Sequence, residues 1–571
     1  HSDGRALLRA FLESGNFLAH FRGATDRATL ARRGRLLALA AGPAGPSLQP
    51  RKPGRLRLGF LALDAGDRTE TRALLPFLAG LDRARTESFL LLLHGIRSDT
   101  ARANASGAER ILDLSGIPEA ERADYIRGFD LDILVFANNP LGRSGAYPRL
   151  ACQRLARRQV ATIASPASTG LPGIDRFLTS TEAENGDIAA RYTETPLLME
   201  GLPVCFAEPP LPVLRPPEAN LIDRQIADLR RAIPGPAVLL LAAAHAAKLT
   251  PALRDCWLTI LERAPGTVLM LLPGNPGWSV PVEGRAVLRW MRESAAARGL
   301  DARRIAVAGP FQSRAALAHL ARRADIFLDS FPYAGCASLI DPLRVGTPVI
   351  ALEGDSQKEK QGAALLQSLG LDGLVAGDPV AYAGIAATLA QDAAARERLR
   401  TRILSRIETA SFLDPADFGR RVAACWEMLF REIMQEEAQS DPLAADPLAA
   451  DALRGDVRAE EGFAAGWHAA EEAGWRWSIG GEAARLSIAV PFAGGAVLEL
   501  ARIAGIRIIG ICSASKHDQV RALGGIPIDY RNEDVEARVR DLTEGRGVDA
   551  VLDSIGGAET KRSWRLVRPT G

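Results

Sequence analysis

From residue 55 onward, short apolar runs alternate with amphipathic stretches. The runs at 56–63, 89–94, 110–114, 133–137, 159–164, 177–179 and 197–199 have the length of strands rather than helices. Between them lie stretches such as 71–81, with apolar residues at helical spacing. Continuously apolar strands separated by helices predict a parallel sheet covered on both faces. The pattern stops near Pro203, and EPPLPVLRPP at 208–217 predicts a stiff, extended linker. A second set of runs follows at 237–244, 268–272, 305–308, 326–328 and 349–352, and ends near 436. Two α/β lobes joined by a linker place a cleft at the carboxyl ends of their strands. Such a cleft suits a nucleotide-sugar or a dinucleotide.

The flanks read differently. Residues 1–52 are Arg-rich and helical in pattern and close on a Pro/Gly loop. A tandem DPLAA repeat at 441–451 predicts a flexible link. The segment 460–491 carries three Trp and ends in an alternating run at 484–490. A third βαβ pattern follows, with runs at 496–504, 506–512, 534–542 and 548–553, too short for a whole dinucleotide domain. The expected organisation is a helical lead-in (1–52), an N-terminal lobe (53–205), an inter-lobe linker (206–235) and a C-terminal lobe (236–436) that would hold the nucleotide ligand. A flexible linker (437–459), a small β segment (460–491) and a truncated βαβ fragment (492–571) complete it.

Composition acts mainly by exclusion. With 47% hydrophobic and 24% charged residues, the chain is globular rather than disordered. Lys and Arg total 70 against 68 Asp and Glu, so bulk charge points to neither nucleic acid nor a membrane surface as partner. No apolar run has the length of a membrane helix. The six cysteines form no CxxC pair, which fits a reducing, cytoplasmic setting better than a zinc knuckle or disulfide framework. The first residue is His1, and no signal peptide follows it, so a chain processed or cut from a longer one is expected.

Two places could carry chemistry. The run 237–244 leads into His245 and Lys248, and then into Thr250-Pro251, an N-cap followed by Pro at the first helical position. A lysine beside a helix start at a strand's carboxyl end suits a phosphate. A solvated lysine closing a loop is the plainer alternative. The second place is DSFPYAGCASLID at 329–341. Gly335 permits a tight loop, and the amides of Cys336, Ala337 and Ser338 could face a phosphate while Asp341 accepts from a ribose hydroxyl. Ser338 and Asp341 also have capping-box spacing, so Asp341 could simply cap its own helix. Two anion-ready helix starts in one lobe favour a diphosphate. His94, at a strand end, is a further candidate with a structural alternative.

These residues carry a resemblance. RLRLGFLALDAGDRTETRALLPFL, AAAHAAKLTPALRDCWLTILERAPGTVLMLL and ADIFLDSFPYAGCASLIDPLRVGTPVIALEG, in this order, resemble the catalytic region of the O-linked N-acetylglucosamine transferase/SPINDLY family over about 55–436. The resemblance implies two Rossmann-like lobes of the GT-B type and a UDP-sugar donor, with helical TPR repeats often standing in front. The implied activity moves N-acetylglucosamine from UDP to a protein Ser/Thr hydroxyl, with no metal or other cofactor required. By the same resemblance Lys248 meets the diphosphate and serves catalysis, and His245 stands where the family has a Gln. Cys336, Ala337 and Ser338 replace a His-Thr-Thr run, and Asp341 is the ribose contact. Family histidines fall on Arg68 and Arg110, which become candidate phosphate or acceptor-side groups. A Gly-Tyr-Pro-Gly loop becomes Ala164-Ser165-Pro166-Ala167. The uracil-side His falls on Leu317, with His319 nearby. Arg68 cannot act as a base, because a guanidinium stays protonated. A catalytically degenerate homologue that binds a nucleotide-sugar or a protein is therefore the alternative.

Residues 493–571 resemble the cofactor half of a quinone-oxidoreductase-type medium-chain reductase. Ser513 and Lys516 match the residues that face the NADPH 2′-phosphate in that family. The glycine fingerprint is reduced to Ala493-Gly494-Gly495 and the catalytic half is absent, so an incomplete NADPH site is expected. The segment reads as a fused remnant or a join of two gene sequences, and an NADPH-dependent reductase is the least favoured activity.

Overall fold

The computed structural model describes residues 26–42, 44–141, 146–207, 210–211, 213–274, 284–308, 314–439, 487–491, 507–522, 525–548 and 550–551. They fall into two compact units, one within 12–439 and one within 440–571.

The first unit holds two parallel sheets. In the N-terminal lobe the strands are β1 (Leu56–Ala62), β2 (Thr86–Leu92), β3 (Arg110–Asp113), β4 (Ile133–Phe136), β5 (Arg158–Ala161), β6 (Arg176–Thr179) and β7 (Thr195–Leu198), in the order β3-β2-β1-β4-β5-β6-β7. The C-terminal lobe has β8 (Val238–Ala242), β9 (Thr267–Leu271), β10 (Ile305–Val307), β11 (Ile326–Leu328), β12 (Val349–Leu352) and β13 (Val375–Ala376), in the order β10-β9-β8-β11-β12-β13. Both are doubly wound, so the chain reverses direction between β1 and β4 in one lobe and between β8 and β11 in the other. All the sequence-expected strands of these lobes are present, and the two-residue β13 is added. The α/β, two-lobed expectation of GT-B type holds.

Helices cover the sheets, and several fix the geometry of the site: α1 (Arg27–Ala41), α2 (Thr69–Ala79), α3 (Pro216–Arg230), α4 (Pro251–Arg263), α5 (Arg314–Arg323), α6 (Ala337–Arg344), α7 (Gln357–Ser368), α8 (Pro379–Gln391) and α9 (Pro415–Gln439). Part of the expected linker 206–235 is helix α3. Its Pro216-Pro217 opens a helix rather than extending a linker, and it buries Ile222, Ile226 and Leu229 in the C-terminal core. The boundary near 436 also moves in meaning. α9 carries an apolar stripe of Phe418, Val422, Cys425, Trp426, Leu429 and Ile433 that packs into the N-terminal lobe. Phe418 meets Phe77 of α2 edge-on at 4.9 Å, and Glu432 and Glu437 pair with Arg176 and Arg157 at 2.7 and 3.1 Å. The lead-in docks through a close backbone crossing: a Cβ on Gly34 of α1 would lie 1.7 Å from the Gly170 carbonyl oxygen. Nearby, Arg51 grips the fully buried Asp132 at 2.7 Å, a pairing that such a carboxylate requires.

The second unit contains β14 (Ser487–Pro491), β15 (Arg507–Cys512), β16 (Ile526–Asp529) and β17 (Ala550–Val551) in a parallel sheet of order β16-β15-β14-β17. This corrects the expected boundary at 491. The end of the supposed small β segment is β14, a central strand of the cofactor-type sheet, hydrogen-bonded to β15 and β17. The Trp-rich stretch, the DPLAA repeat and the run 496–504 lie outside the described residues. Among the described residues, no helix is long and apolar enough to cross a membrane.

Candidate functional site

β8 and β11 are neighbours, Ile326 opposite Leu240 and Phe327 opposite Leu241. The two segments singled out in the sequence leave the carboxyl ends of these two strands, which is the switch point where an open α/β sheet receives a ligand. After β8 the chain makes a 3-10 turn over Ala246–Lys248. His245 caps it, its Nδ1 accepting from the Ala247 amide at 3.2 Å, and this places the ring proton of a neutral imidazole on Nε2. Lys248 then reaches across the switch point. Its Nζ donates to the Ala334 carbonyl at 3.0 Å and stands 4.3 Å from the Tyr333 ring centroid, over its face. Burial lowers the Lys248 pKa to about 8, while the charge of Asp329 works to raise it.

The loop after β11 is tied from within. Asp329 is buried, and its Oδ1 accepts from the Ser330 amide at 2.8 Å and the Gly335 amide at 2.7 Å. The Tyr382 hydroxyl of α8 donates to the Asp329 carbonyl at 2.8 Å. The Ala334 carbonyl takes a second hydrogen bond, from Gln361 of α7 at 2.7 Å. Burial raises the Asp329 pKa to about 6, against the pull of Lys248 and of the two amides. It also pushes the Cys336 thiol up to about 12, so that side chain stays neutral at neutral pH.

α6 begins at Ala337 with Cys336 as its N-cap, and no side chain caps it. Ser338 therefore sits inside the first turn, and the expected capping box with Asp341 does not form. Cys336, Ala337 and Ser338 are half-buried, within reach of a ligand. Asp341 caps nothing with its side chain. Arg314 of α5 holds it in a fork, with Nε 2.8 Å from Oδ2 and a further, shorter contact to Oδ1. A ribose hydroxyl reaches Asp341 only by sharing those oxygens. At the other helix start the expected N-cap is present: Thr250 Oγ1 accepts from the Leu253 amide at 3.2 Å, which takes one of the amides an anion at the start of α4 would use. The uracil side differs as well. Leu317 packs against the core, and His319 Nε2 lies 3.0 Å from Asp223 of α3.

In the N-terminal lobe Arg68 follows β1, 61% exposed, with its Nε 3.1 Å from Asp64. His94 follows β2 at the same sheet end, its pKa lowered by burial and by Arg97, so it is neutral at pH 7. The structure does not bring Arg110 there. It opens edge strand β3 opposite Phe89 and three residues before the strand's carboxyl end. It lies 5.1 and 5.2 Å from the Phe89 and Phe129 ring centroids and pairs with Glu87 at 3.4 Å. In the second unit Ser513 and Lys516 stand at the carboxyl end of β15, where Ser513 Oγ is 3.0 Å from Ser515 Oγ. The glycine run 493–495 lies outside the described residues.

Residues 224–421 match glycosyl transferase family 41, and residues 493–571 match zinc-binding dehydrogenase. The resemblance to the O-linked N-acetylglucosamine transferase/SPINDLY family holds, followed by a dehydrogenase-type fragment. A probable UDP-N-acetylglucosamine–peptide N-acetylglucosaminyltransferase SPINDLY from Oryza sativa subsp. japonica is 26% identical over 336 residues, 57% of this chain and 33% of its own length. Its Arabidopsis thaliana counterpart is 26% identical over 354 residues, 58% of this chain and 35% of its own. The chain thus spans about a third of the length of the curated relatives it matches. A solved mutant O-GlcNAc transferase from Thermobaculum terrenum shares the fold, with TM-score 0.61 and 22% identity over 75% of this chain and 78% of that one. At the other end, the synaptic vesicle membrane protein VAT-1 homolog of Danio rerio is 40% identical over 68 residues, 12% of this chain and 14% of its own.

Sequence reasoning missed Asp329, Gln361 and Arg314. The Asp329-to-Gly335 spacing was the one available signal, because a carboxylate six residues before a glycine can staple the loop between them.

Proposed function

We propose that the two-lobed region is a glycosyltransferase that moves N-acetylglucosamine from UDP to a Ser or Thr hydroxyl of a protein. The observation that carries this reading is the convergence of Lys248 and the uncapped start of α6 at the β8/β11 switch point. As the bond from sugar to diphosphate breaks, negative charge gathers on the β-phosphate. An ammonium and peptide N–H groups fixed in advance lower that barrier without reorganising. His245, with its proton on Nε2, adds a donor on the same side. The likeness to SPINDLY proteins supports the same donor and acceptor classes.

Titration calorimetry of the full chain with UDP and UDP-N-acetylglucosamine tests the reading. The native protein is expected to bind both, and Lys248→Ala to bind about 10- to 100-fold more weakly, the worth of a charge-assisted contact. Absence of binding by the native protein overturns the proposal. Arginine in place of histidine at 68 and 110 favours one second reading, a homologue that binds the donor without transferring it. Binding with no sugar transfer or UDP release across varied acceptors would establish that one.

A further inference from the structure

The loop between β11 and α6 contains an acid that the proposed reaction does not use. Asp329 is 2% exposed, and its Oδ1 takes the amides at both ends of the loop, Ser330 and Gly335. Among the described residues its Oδ2 has no hydrogen-bond partner. Two glycines make room for the carboxyl group. A Cβ on Gly335 would lie 2.6 Å from Oδ1, and one on Gly362 of α7 would lie 2.2 Å from Oδ2. A carboxylate in a fitted pocket with one oxygen unsatisfied costs stability that a purely structural residue would avoid.

We infer that Asp329 is the positioning residue of the diphosphate loop: it fastens the loop that presents the amides of 336–338, and it is the internal counter-charge of Lys248 until a diphosphate takes that place. This rests on the proposed function and deepens it. Lys248 Nζ and Asp329 Oδ1 hold the two ends of one peptide group, the Ala334 carbonyl at 3.0 Å and the Gly335 amide at 2.7 Å, so the carboxylate is the near negative charge that favours the protonated lysine. When a diphosphate arrives beside Lys248, Asp329 meets a second negative neighbour inside a low-dielectric pocket. Its proton affinity must then rise, and it takes up a proton from solution on binding.

Of the other groups around the site, His245 is left in place by Asp329→Asn, so any proton it takes up is common to both proteins and the difference between them reports on Asp329. Tyr333 and Cys336 of the same loop and Tyr382 of α8 are neutral at neutral pH. On α7, Lys360 is turned to Asn185 and Glu353, Glu359 to the Ser356 amide, and Lys358 is buried.

The test is calorimetric titration of the full chain with UDP-N-acetylglucosamine at pH 6.5, in buffers of differing ionisation enthalpy. Its phosphates are both esterified and do not titrate there, so proton exchange reports on the protein. The native protein is expected to take up a substantial fraction of a proton per molecule bound. Asp329→Asn, which keeps the acceptor for the two amides, is expected to bind with clearly less uptake than the native protein. Asp329→Ala, which frees the loop, is expected to bind about tenfold more weakly or worse. Equal uptake by native protein and Asp329→Asn overturns the inference. Absence of binding by the native protein overturns the proposed function instead. If Asp329→Asn does not fold, difference infrared spectroscopy of the native protein decides. A protonated-carboxyl band that grows on binding supports the inference, and its absence overturns it.

Discussion

Lys248 is a charge held at the edge of its ordinary range. Burial has lowered its pKa to about 8, so the protonated form that meets a phosphate is present at neutral pH and is lost as pH rises through that value. Affinity for UDP-N-acetylglucosamine is therefore expected to fall between pH 7 and 9, by at most about tenfold per pH unit, when followed by titration calorimetry. Lys248→Ala is expected to be weak throughout, with that fall absent. A native protein whose affinity is flat to pH 9 would contradict the role given to Lys248. Lys248 was legible in the sequence because strand end, lysine and Thr-Pro helix start follow one another. Asp329 was not, because the pocket that houses it is closed by Gly362, on a helix that no local pattern connects to the loop. The occupation of Asp341 by Arg314 is equally non-local, since the two stand on different helices.

At the scale of elements, α7 joins the site to the other lobe. Gln361 supports the Ala334 carbonyl that also receives Lys248, and one residue earlier Lys360 donates to Asn185 Oδ1 at 2.7 Å. Asn185, from the N-terminal lobe, also donates its amide to the Asp355 carbonyl at 2.9 Å, and its side chain reaches Glu353 and Gly354 at 3.2 Å. Asn185→Ala leaves Lys360, which is 7% exposed, short of an acceptor. It is expected to cost about 2 kcal/mol in denaturant unfolding and to speed amide hydrogen exchange across residues 334–339. Unchanged exchange in that segment would show that the latch does not support the loop. The strands were legible because buried parallel strands read as unbroken apolar runs. Helix α3 was not, because Pro216-Pro217 ends a Pro-rich stretch and starts a helix with the same residues. The return of α9 to the first lobe was hidden too, since an apolar stripe announces burial but not its partner.

Across the whole molecule, the first unit repeats one device: each lobe reverses its sheet order once, and candidate chemistry gathers at the carboxyl ends beside those reversals. Arg68, after β1, takes that position in one lobe, and Lys248 with the α6 start in the other. The second unit was read from its sequence as a reductase-type cofactor sheet, and its strand order β16-β15-β14-β17 is that of the first four strands of a doubly wound sheet. The most direct measurement is a crystal structure of the full chain with UDP bound. The expected result is a β-phosphate within hydrogen-bond distance of Lys248 Nζ and of the amides at the start of α6. UDP bound elsewhere, or Lys248 Nζ out of hydrogen-bond reach of the diphosphate while UDP occupies the cleft, would contradict the account.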